Sequence, residues 1–343
     1  MLILPEEVKL LLTTEPLLAG RVGMLTLGGS LAYGTNLPDK GDIDIRGFAF
    51  EPPEQLIGNI KNFETYTDLG TDTVIYSFNK FIQLLLENNP NILETLGCRA
   101  DHYFYAGSVA QELVTNLDKF IHKRVFHTFG GYAKMQLARM ENAISHSSLE
   151  GRKVTEHIQG SMERAMYSFE ERYSGFEHGN IKINIVPSKK DPEETELALD
   201  INLNNFPLEQ VVSMLSEFNN INRAYTKLNH RNRKSTPEKL DKHAMHIIRL
   251  LMTGIELMTT GKMTTYRAKE QQTLLSVRQG KFRNPDGTYN TAFYDLKADL
   301  DKEFEYAKAN TVLPDQPDRE WINAFVYKTN YQTVNGCVDT LQL

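Results

Sequence analysis

An α+β fold is expected, with a small mixed β-sheet and its helices in about the first hundred residues and a mainly helical region after them. Three observations predict it. Short apolar runs bounded by turn residues are confined to the first hundred positions. From about Gln111 onward, apolar residues recur at helical spacing. Inside the helical part, two alternating runs stand out as an inserted β-hairpin. A chain of 343 residues suits about two domains of roughly 100–200 residues each, expected at 1–108 and 109–343.

Val22–Leu27 reads as a buried strand that runs into Gly28, Gly29 and Ser30. Asp42–Phe50 alternates as a second strand, ended by Glu51-Pro52-Pro53, and Thr73–Tyr76 is a third. Ser77 is the N-cap of a helix whose Phe78, Phe81, Ile82 and Leu85 fall at i, i+3, i+4 and i+7. That helix stops at Asn88-Asn89, because Pro90 cannot continue it. Asn89 and Pro90 then start a short helix as N-cap and first residue, and Gly97 ends it. Further helices are expected over 110–123, 126–147, 153–174, 207–229 and 241–260. The last places Ile247, Leu250, Leu251, Gly254, Ile255 and Met258 on one face. The hairpin pairs Ile181–Val186 with Leu197–Leu203 across the polar stretch Pro187–Glu196.

Lys and Arg number 38 against 44 Asp and Glu, a net charge of −6, which excludes a polycation that coats nucleic acid by bulk charge. Cys98 and Cys337 form no Cys-x-x-Cys pair, so neither a zinc site nor a disulfide framework is expected. Glu6, Glu7 and Lys9 interrupt the first apolar stretch, which argues against a signal peptide. Arg249 and Glu256 interrupt the longest oily segment, which argues against a membrane span. The cytoplasm is the expected compartment. Charge is uneven, however. Residues 223–242 carry Arg223, Lys227, Arg231, Arg233, Lys234, Lys239 and Lys242 against Glu238 and Asp241. This +5 segment reads either as a solvated loop between helices or as a landing site for the phosphates of a polynucleotide.

The chemistry concentrates in Gly28-Gly29-Ser30-Leu31-Ala32-Tyr33-Gly34-Thr35 and in Asp42-Ile43-Asp44-Ile45-Arg46-Gly47. On a strand, Asp42 and Asp44 share one face, roughly 6–7 Å apart, while Ile43 and Ile45 point into the core. Two such carboxylates repel unless cations neutralise them, and hard divalent ions with oxygen ligands suit them. Gly29 lets the backbone approach a ligand closely, and Ser30 offers its amide and hydroxyl to phosphate oxygens. No Gly-Lys-Ser/Thr follows, so this is not a Walker loop, and the spacing is not that of a dinucleotide fingerprint.

Gly29-Ser30, an eleven-residue spacer and Asp42-x-Asp44 together resemble the signature of the DNA polymerase β-type nucleotidyltransferase superfamily. The longer Gly-Ser-x-Ala-Tyr-Gly-Thr…Asp-Ile-Asp-x-Arg-Gly form is similar to its branch of stand-alone bacterial and phage enzymes, some of them associated with RNA repair. Asp72–Phe78, Asn89-Pro90-Asn91 with Glu94, and Lys242–Leu250 extend the resemblance. One departure is Asp39-Lys40-Gly41, which replaces the Ser often found just before Asp-x-Asp. The resemblance implies a polymerase β-like fold in 1–108, with nucleotide or substrate binding in 109–343. It implies transfer of an NMP from an NTP to an acceptor hydroxyl with two Mg²⁺ ions, for which Mn²⁺ substitutes. Asp42, Asp44 and Asp72 are the expected metal ligands and catalytic carboxylates, with Glu94 as the rival to Asp72. Gly29, Ser30, Tyr33, Thr35, Arg46, Lys242, His246 and Arg249 are the expected nucleotide-binding residues.

For several of these a plainer reading stands beside the functional one. Arg46 either contacts a phosphate or neutralises the carboxylates, and Tyr33 and Thr35 either touch the nucleotide or pack beneath the loop. Lys242, His246 and Arg249 share a helix face that is either solvated or closed over a triphosphate. His243 and His246 lack a third soft ligand nearby, so zinc is not expected there. The first acceptor expected is an RNA end, a tRNA included, reached through 223–242. A protein that becomes adenylylated, a small molecule, or a nucleotide-sensing module without turnover are the alternatives.

Overall fold

Every residue of β1 (Val22–Leu27) is buried, as a strand must be when it has neighbours on both edges and cover on both faces. A computed structural model describes residues 2–37, 43–58, 63–147, 181–187, 195–202, 207–232 and 236–343. The sheet adds β2 (Ile45–Ala49), β3 (Thr65–Asp68), β4 (Thr73–Ser77) and β5 (Tyr103–Ala106) in the order β3-β4-β2-β1-β5. The pair β2 and β4 is parallel and the other neighbours are antiparallel, which makes the sheet mixed, as expected. Its register places Leu27 opposite Ile45 and Ile45 opposite Thr73. The C-terminal end of β1 therefore lies beside the N-terminal ends of β2 and β4.

The helices around this sheet are α1 (Glu6–Thr14), α2 (Gly29–Tyr33), α3 (Pro53–Ile57), α4 (Phe78–Leu86), α5 (Pro90–Leu96), α6 (Ser108–Thr115) and α7 (Val125–Ser147). Capping chemistry sets two of them as expected. The Ser77 hydroxyl accepts from the Lys80 amide at 3.3 Å, and the Asn89 side chain accepts from the Asn91 amide at 3.0 Å. Pro90 opens α5 and Gly97 follows its last residue. The core beneath the sheet is aromatic. Phe48 packs on Phe50, Phe78 and Phe81 with ring centroids 5.2–5.6 Å apart, within the range of favourable edge and tilted contacts.

Beyond the sheet come the hairpin β6 (Ile181–Pro187) and β7 (Thr195–Ile201), then α8 (Leu208–Asn232), α9 (Pro237–Thr260), α10 (Gln271–Arg278), α11 (Thr291–Ala309) and α12 (Arg319–Val334). The two hairpin strands are antiparallel, with Ile181 opposite Ile201. Two compact units emerge. One gathers Met1–Leu137, Asp241–Arg283 and Tyr289–Leu343, and the other Ala138–Leu240 with Asn284–Thr288. The sheet thus shares its unit with Asp241–Arg283 and Tyr289–Leu343.

Several elements differ from expectation. The second strand begins at Ile45 rather than Asp42, so strand alternation does not reach Ile43, which is 41% exposed instead of facing the core. The helix expected over 110–123 covers Ser108–Thr115 and gives way to a 3₁₀ turn at Leu117–Lys119, where the Asn116 side chain bonds the Glu112 carbonyl. The helix expected from 241 starts at Pro237, a residue suited to a first helical position. The expected helix over 153–174 lies outside the described residues. No helix among the described residues is long and apolar enough to cross a membrane.

Helix α9 buries more than one stripe. Ile247, Leu250, Leu251 and Met258 are buried as expected, but so are Ala244, Met245, Ile248, Arg249, Thr253 and Leu257. A helix enclosed on most sides is a central element rather than a surface one. Gly254 marks the tightest approach, since a Cβ there would sit 2.6 Å from the Phe304 ring and 3.2 Å from Phe129.

Candidate active site

The turn after β1 is built by its glycines. The Gly28 amide donates to the Asp44 carbonyl at 2.8 Å, which ties the turn to the approach to β2. Gly29 has φ +55°, and a Cβ there would lie 1.7 Å from Asp44 Oδ2. The position thus demands glycine for its backbone and again for the carboxylate against it. Helix α2 follows and ends at Gly34, whose φ of +73° is left-handed, while the Thr35 amide bonds back to the Ser30 carbonyl at 2.9 Å.

Asp44 and Asp72 face each other for a topological reason. They precede Ile45 and Thr73, which are paired on parallel strands, and the Ile45 amide donates to the Asp72 carbonyl at 3.1 Å. Asp72 has φ +49°, a conformation that few non-glycine residues adopt outside turns and functional sites. The capping role in the β3–β4 turn belongs to Asp68, whose carboxylate accepts from the Thr71 amide at 2.7 Å and the Thr71 hydroxyl at 2.8 Å. Arg46 spans the pair, with Nη2 at 2.9 Å from Asp44 and 3.5 Å from Asp72, and Nη1 donating to the Asp72 carbonyl at 2.6 Å. Burial raises the Asp44 pKa above its ordinary value, Arg46 opposes that, and the neighbouring Asp72 carboxyl raises it further. Asp42 lies outside the described residues. Among the described residues no three His, Cys, Asp or Glu side chains gather as a metal site, and Asp44 with Asp72 forms a carboxylate pair.

Gly29, Ser30, Tyr33, Asp44 and Arg46 line one side of a cavity of about 230 Å³, and Lys242, His246 and Arg278 line another. Helix α9 thus brings Lys242 and His246 to the glycine turn from two hundred residues away. Arg249 takes a different place. It is buried, ion-paired with Glu94, and its guanidinium lies 3.7 Å from the centroid of the Tyr33 ring. The Tyr33 hydroxyl donates to the other Glu94 oxygen at 2.7 Å, and burial pushes its pKa up, so it remains a donor. Neither Arg249 nor Thr35 lines the cavity. Thr35 is fully buried beneath the turn. Glu94 does line it, but its two oxygens are bound to Tyr33 and Arg249.

His246 sits between cations. Burial, then Arg249 and Lys242, hold its pKa well below the usual 6.5, so the imidazole is neutral. Its Nδ1 lies 3.4 Å from Arg249 Nη2, a pure donor, which leaves the proton on Nε2.

The +5 segment is mostly helix rather than loop, because α8 reaches Asn232 and α9 starts at Pro237. Among its described side chains Arg223, Lys239 and Lys242 are exposed, whereas Asp241 is buried in contact with Tyr289 (2.8 Å) and Arg283 (3.0 Å).

One wall was not legible as a motif. Residues 265–271 form a strap over the glycine turn. The Thr265 amide donates to the Gly97 carbonyl at 3.0 Å, the Gln271 side chain donates to the Gly34 carbonyl at 2.7 Å, and the Tyr266 ring lies against Gly34. This strap leads into α10, whose last residue is Arg278. A single arginine at the end of an eight-residue helix has no distinguishing spacing in the sequence.

Residues 19–169 match the family model described as RlaP, RNA repair pathway DNA polymerase beta family. No curated protein and no solved structure shows a significant match to the chain. The matched segment carries the glycine turn, Asp44, Arg46 and Asp72, and over it the chain is similar to a DNA polymerase beta family that the model's description ties to RNA repair.

Proposed function

We propose that this protein transfers an NMP from an NTP to the terminal hydroxyl of an RNA, a tRNA end included, with release of pyrophosphate. The observation that carries the reading is the apposition of the Gly29–Ser30 turn to the Asp44–Asp72 pair at one edge of the sheet. Its donors fit hard divalent cations. They are carboxylate oxygens without sulfur, and the raised pKa of Asp44 reflects burial and a neighbouring negative charge that a cation would relieve. Two Mg²⁺ ions, or Mn²⁺ in their place, would be held by Asp42, Asp44 and Asp72, and when bound would offset phosphate charge and acidify the acceptor hydroxyl.

The chain's own groups then divide the work. The amide and hydroxyl of Ser30, beside Gly29, receive the β- and γ-phosphates. Arg46 and Lys242 contribute positive charge to the same cavity, and the neutral Nε2–H of His246 donates to a nucleotide acceptor atom. Tyr33 forms part of the wall and is fixed from behind by Glu94 and Arg249. Asp72, with its side chain half-exposed, takes the acceptor's proton as the new O–Pα bond forms and the Pα–O bond to pyrophosphate breaks. Exposed Arg223 and Lys239 suit an RNA backbone, and the family description points the same way.

The test is label transfer from each of the four NTPs to RNA in the presence of Mn²⁺. Wild type is expected to label RNA, and Asp44→Ala or Asp72→Ala to lose about 10²–10³-fold or more. Label that survives RNase but is lost to protease would move the acceptor to protein. NTP binding with no pyrophosphate release from any NTP would replace catalysis with sensing.

A further inference from the structure

We propose that Arg278 is a substrate-contacting residue that, with Lys242, forms a cationic wall for the polyphosphate tail of the nucleotide. The inference rests on the nucleotidyltransferase reading and deepens it by assigning the wall that faces the glycine turn.

Charge balance within the cavity supports it. Of its lining carboxylates, Asp44 is engaged by Arg46, and Glu94 by Arg249 and Tyr33. Lys242 and Arg278 are the further cations of the lining. Arg278 interacts electrostatically with Asp241, a buried carboxylate that is not part of the lining. Asp241 also meets Arg283 at 3.0 Å and the Tyr289 hydroxyl at 2.8 Å. On this lining Lys242 and Arg278 set two cationic side chains beside the glycine turn.

Position supports it as well. Arg278 ends α10, and α10 follows the strap whose Tyr266 and Gln271 grip Gly34. The guanidinium is thereby referenced to the same turn that presents Ser30. Its place beside His246 matters too, because Arg278 is one of the cations that keep that imidazole neutral. A wall that repels a proton from His246 is a wall that attracts an anion. A triphosphate tail is the polyanion that the proposed reaction brings to this cavity, and planar guanidinium groups bind phosphate oxygens in pairs.

Inorganic tripolyphosphate with Mg²⁺, titrated calorimetrically into the full-length protein, isolates this contact from base, acceptor and turnover. Arg278→Ala is expected to weaken binding at least tenfold, and Arg278→Lys, which keeps the charge but loses the fork, to fall between the two. Melting curves of both variants show whether the fold is kept, and the lysine variant carries the test if alanine unfolds it. Tripolyphosphate binding by folded Arg278→Ala or Arg278→Lys that equals wild type overturns the proposal, as does wild type that fails to bind it. Label transfer by the wild type is scored separately. Transfer without Arg278-dependent binding sinks this inference alone, and binding without transfer from any NTP sinks the catalytic reading alone.

Discussion

Gly29→Ala separates backbone strain from damage to the site, because the fold supplies a matched control. Gly29 and Gly20 both occupy the left-handed region, at φ +55° and +66°. Placing alanine in that region costs about 1–2 kcal/mol at either position. At roughly 2–4 °C per kcal/mol for a unit of this size, both variants should melt about 2–8 °C lower. The surroundings differ. A Cβ at Gly20 meets nothing within 4 Å, whereas at Gly29 it falls 1.7 Å from Asp44 Oδ2 and 2.6 Å from Asp44 Cγ. Relief to an ordinary contact moves the carboxylate by more than about 1 Å, a displacement that costs on the order of 100-fold in rate at a reacting centre. Gly20→Ala should therefore transfer nucleotide like wild type, and Gly29→Ala should lose about two orders of magnitude at a similar melting point. Initial rates of labelled-NMP transfer and differential scanning calorimetry read both quantities. Equal transfer rates from the two variants would refute the argument that Asp44 is held against this glycine for chemistry.

Two further outcomes follow from charge. Glu94→Gln leaves Arg249 buried without a counter-ion and should destabilise the protein by about 3–5 kcal/mol in urea unfolding, while Glu94→Gln/Arg249→Met should recover part of that loss. A single-variant cost below about 1 kcal/mol would show that the pair is solvated. Asp44 holds its proton more tightly in the fold than its ordinary value of 3.8 implies, so the cation-free fold loses stability as pH rises from 3.8 through the raised value. A bound cation requires the carboxylate, so Mn²⁺ affinity should fall as pH drops through that raised value, above the ordinary 3.8. Affinity that stays flat down to about pH 4, or equal pH dependence in Asp44→Asn, would exclude Asp44 as the titrating ligand.

What was legible in the sequence was what local chemistry decides. Ser77, Asn89, Pro90 and Gly97 each mark a helix end through a bond or a missing amide within four residues, and each end lies where it was read. Strand β3 is a partly exposed edge of Thr, Tyr and Asp, and β5 is half-buried throughout, so neither shows the apolar run or alternation that marks a strand. Ile43 was misplaced by extending a period-2 pattern two residues beyond the point where pairing begins. Asp72 could be picked out because it opens the strand that begins at Thr73, which is a sequence-level feature. The parallel β2–β4 register that sets it against Asp44 was not.

The second wall of the site shows why charge on a helix is ambiguous when read alone. Lys242, His246 and Arg249 occupy one face of α9, and amphipathic logic assigns such a face to water. That assignment assumes that nothing packs there. In the fold α5 and the glycine turn do, and the three residues meet different surroundings: exposed at the cavity rim for Lys242, among cations for His246, and against Glu94 and Tyr33 for Arg249. Burying an arginine is tolerable only with a partner, so Arg249 in the sequence implies a buried acid elsewhere. Glu94, on a short helix where an acid has no local partner, is that acid. The two charges that looked separately like a solvated face and a spare carboxylate are one ion pair, and that pair fixes Tyr33, and with it the glycine turn, against the helix that carries the phosphate-facing cations.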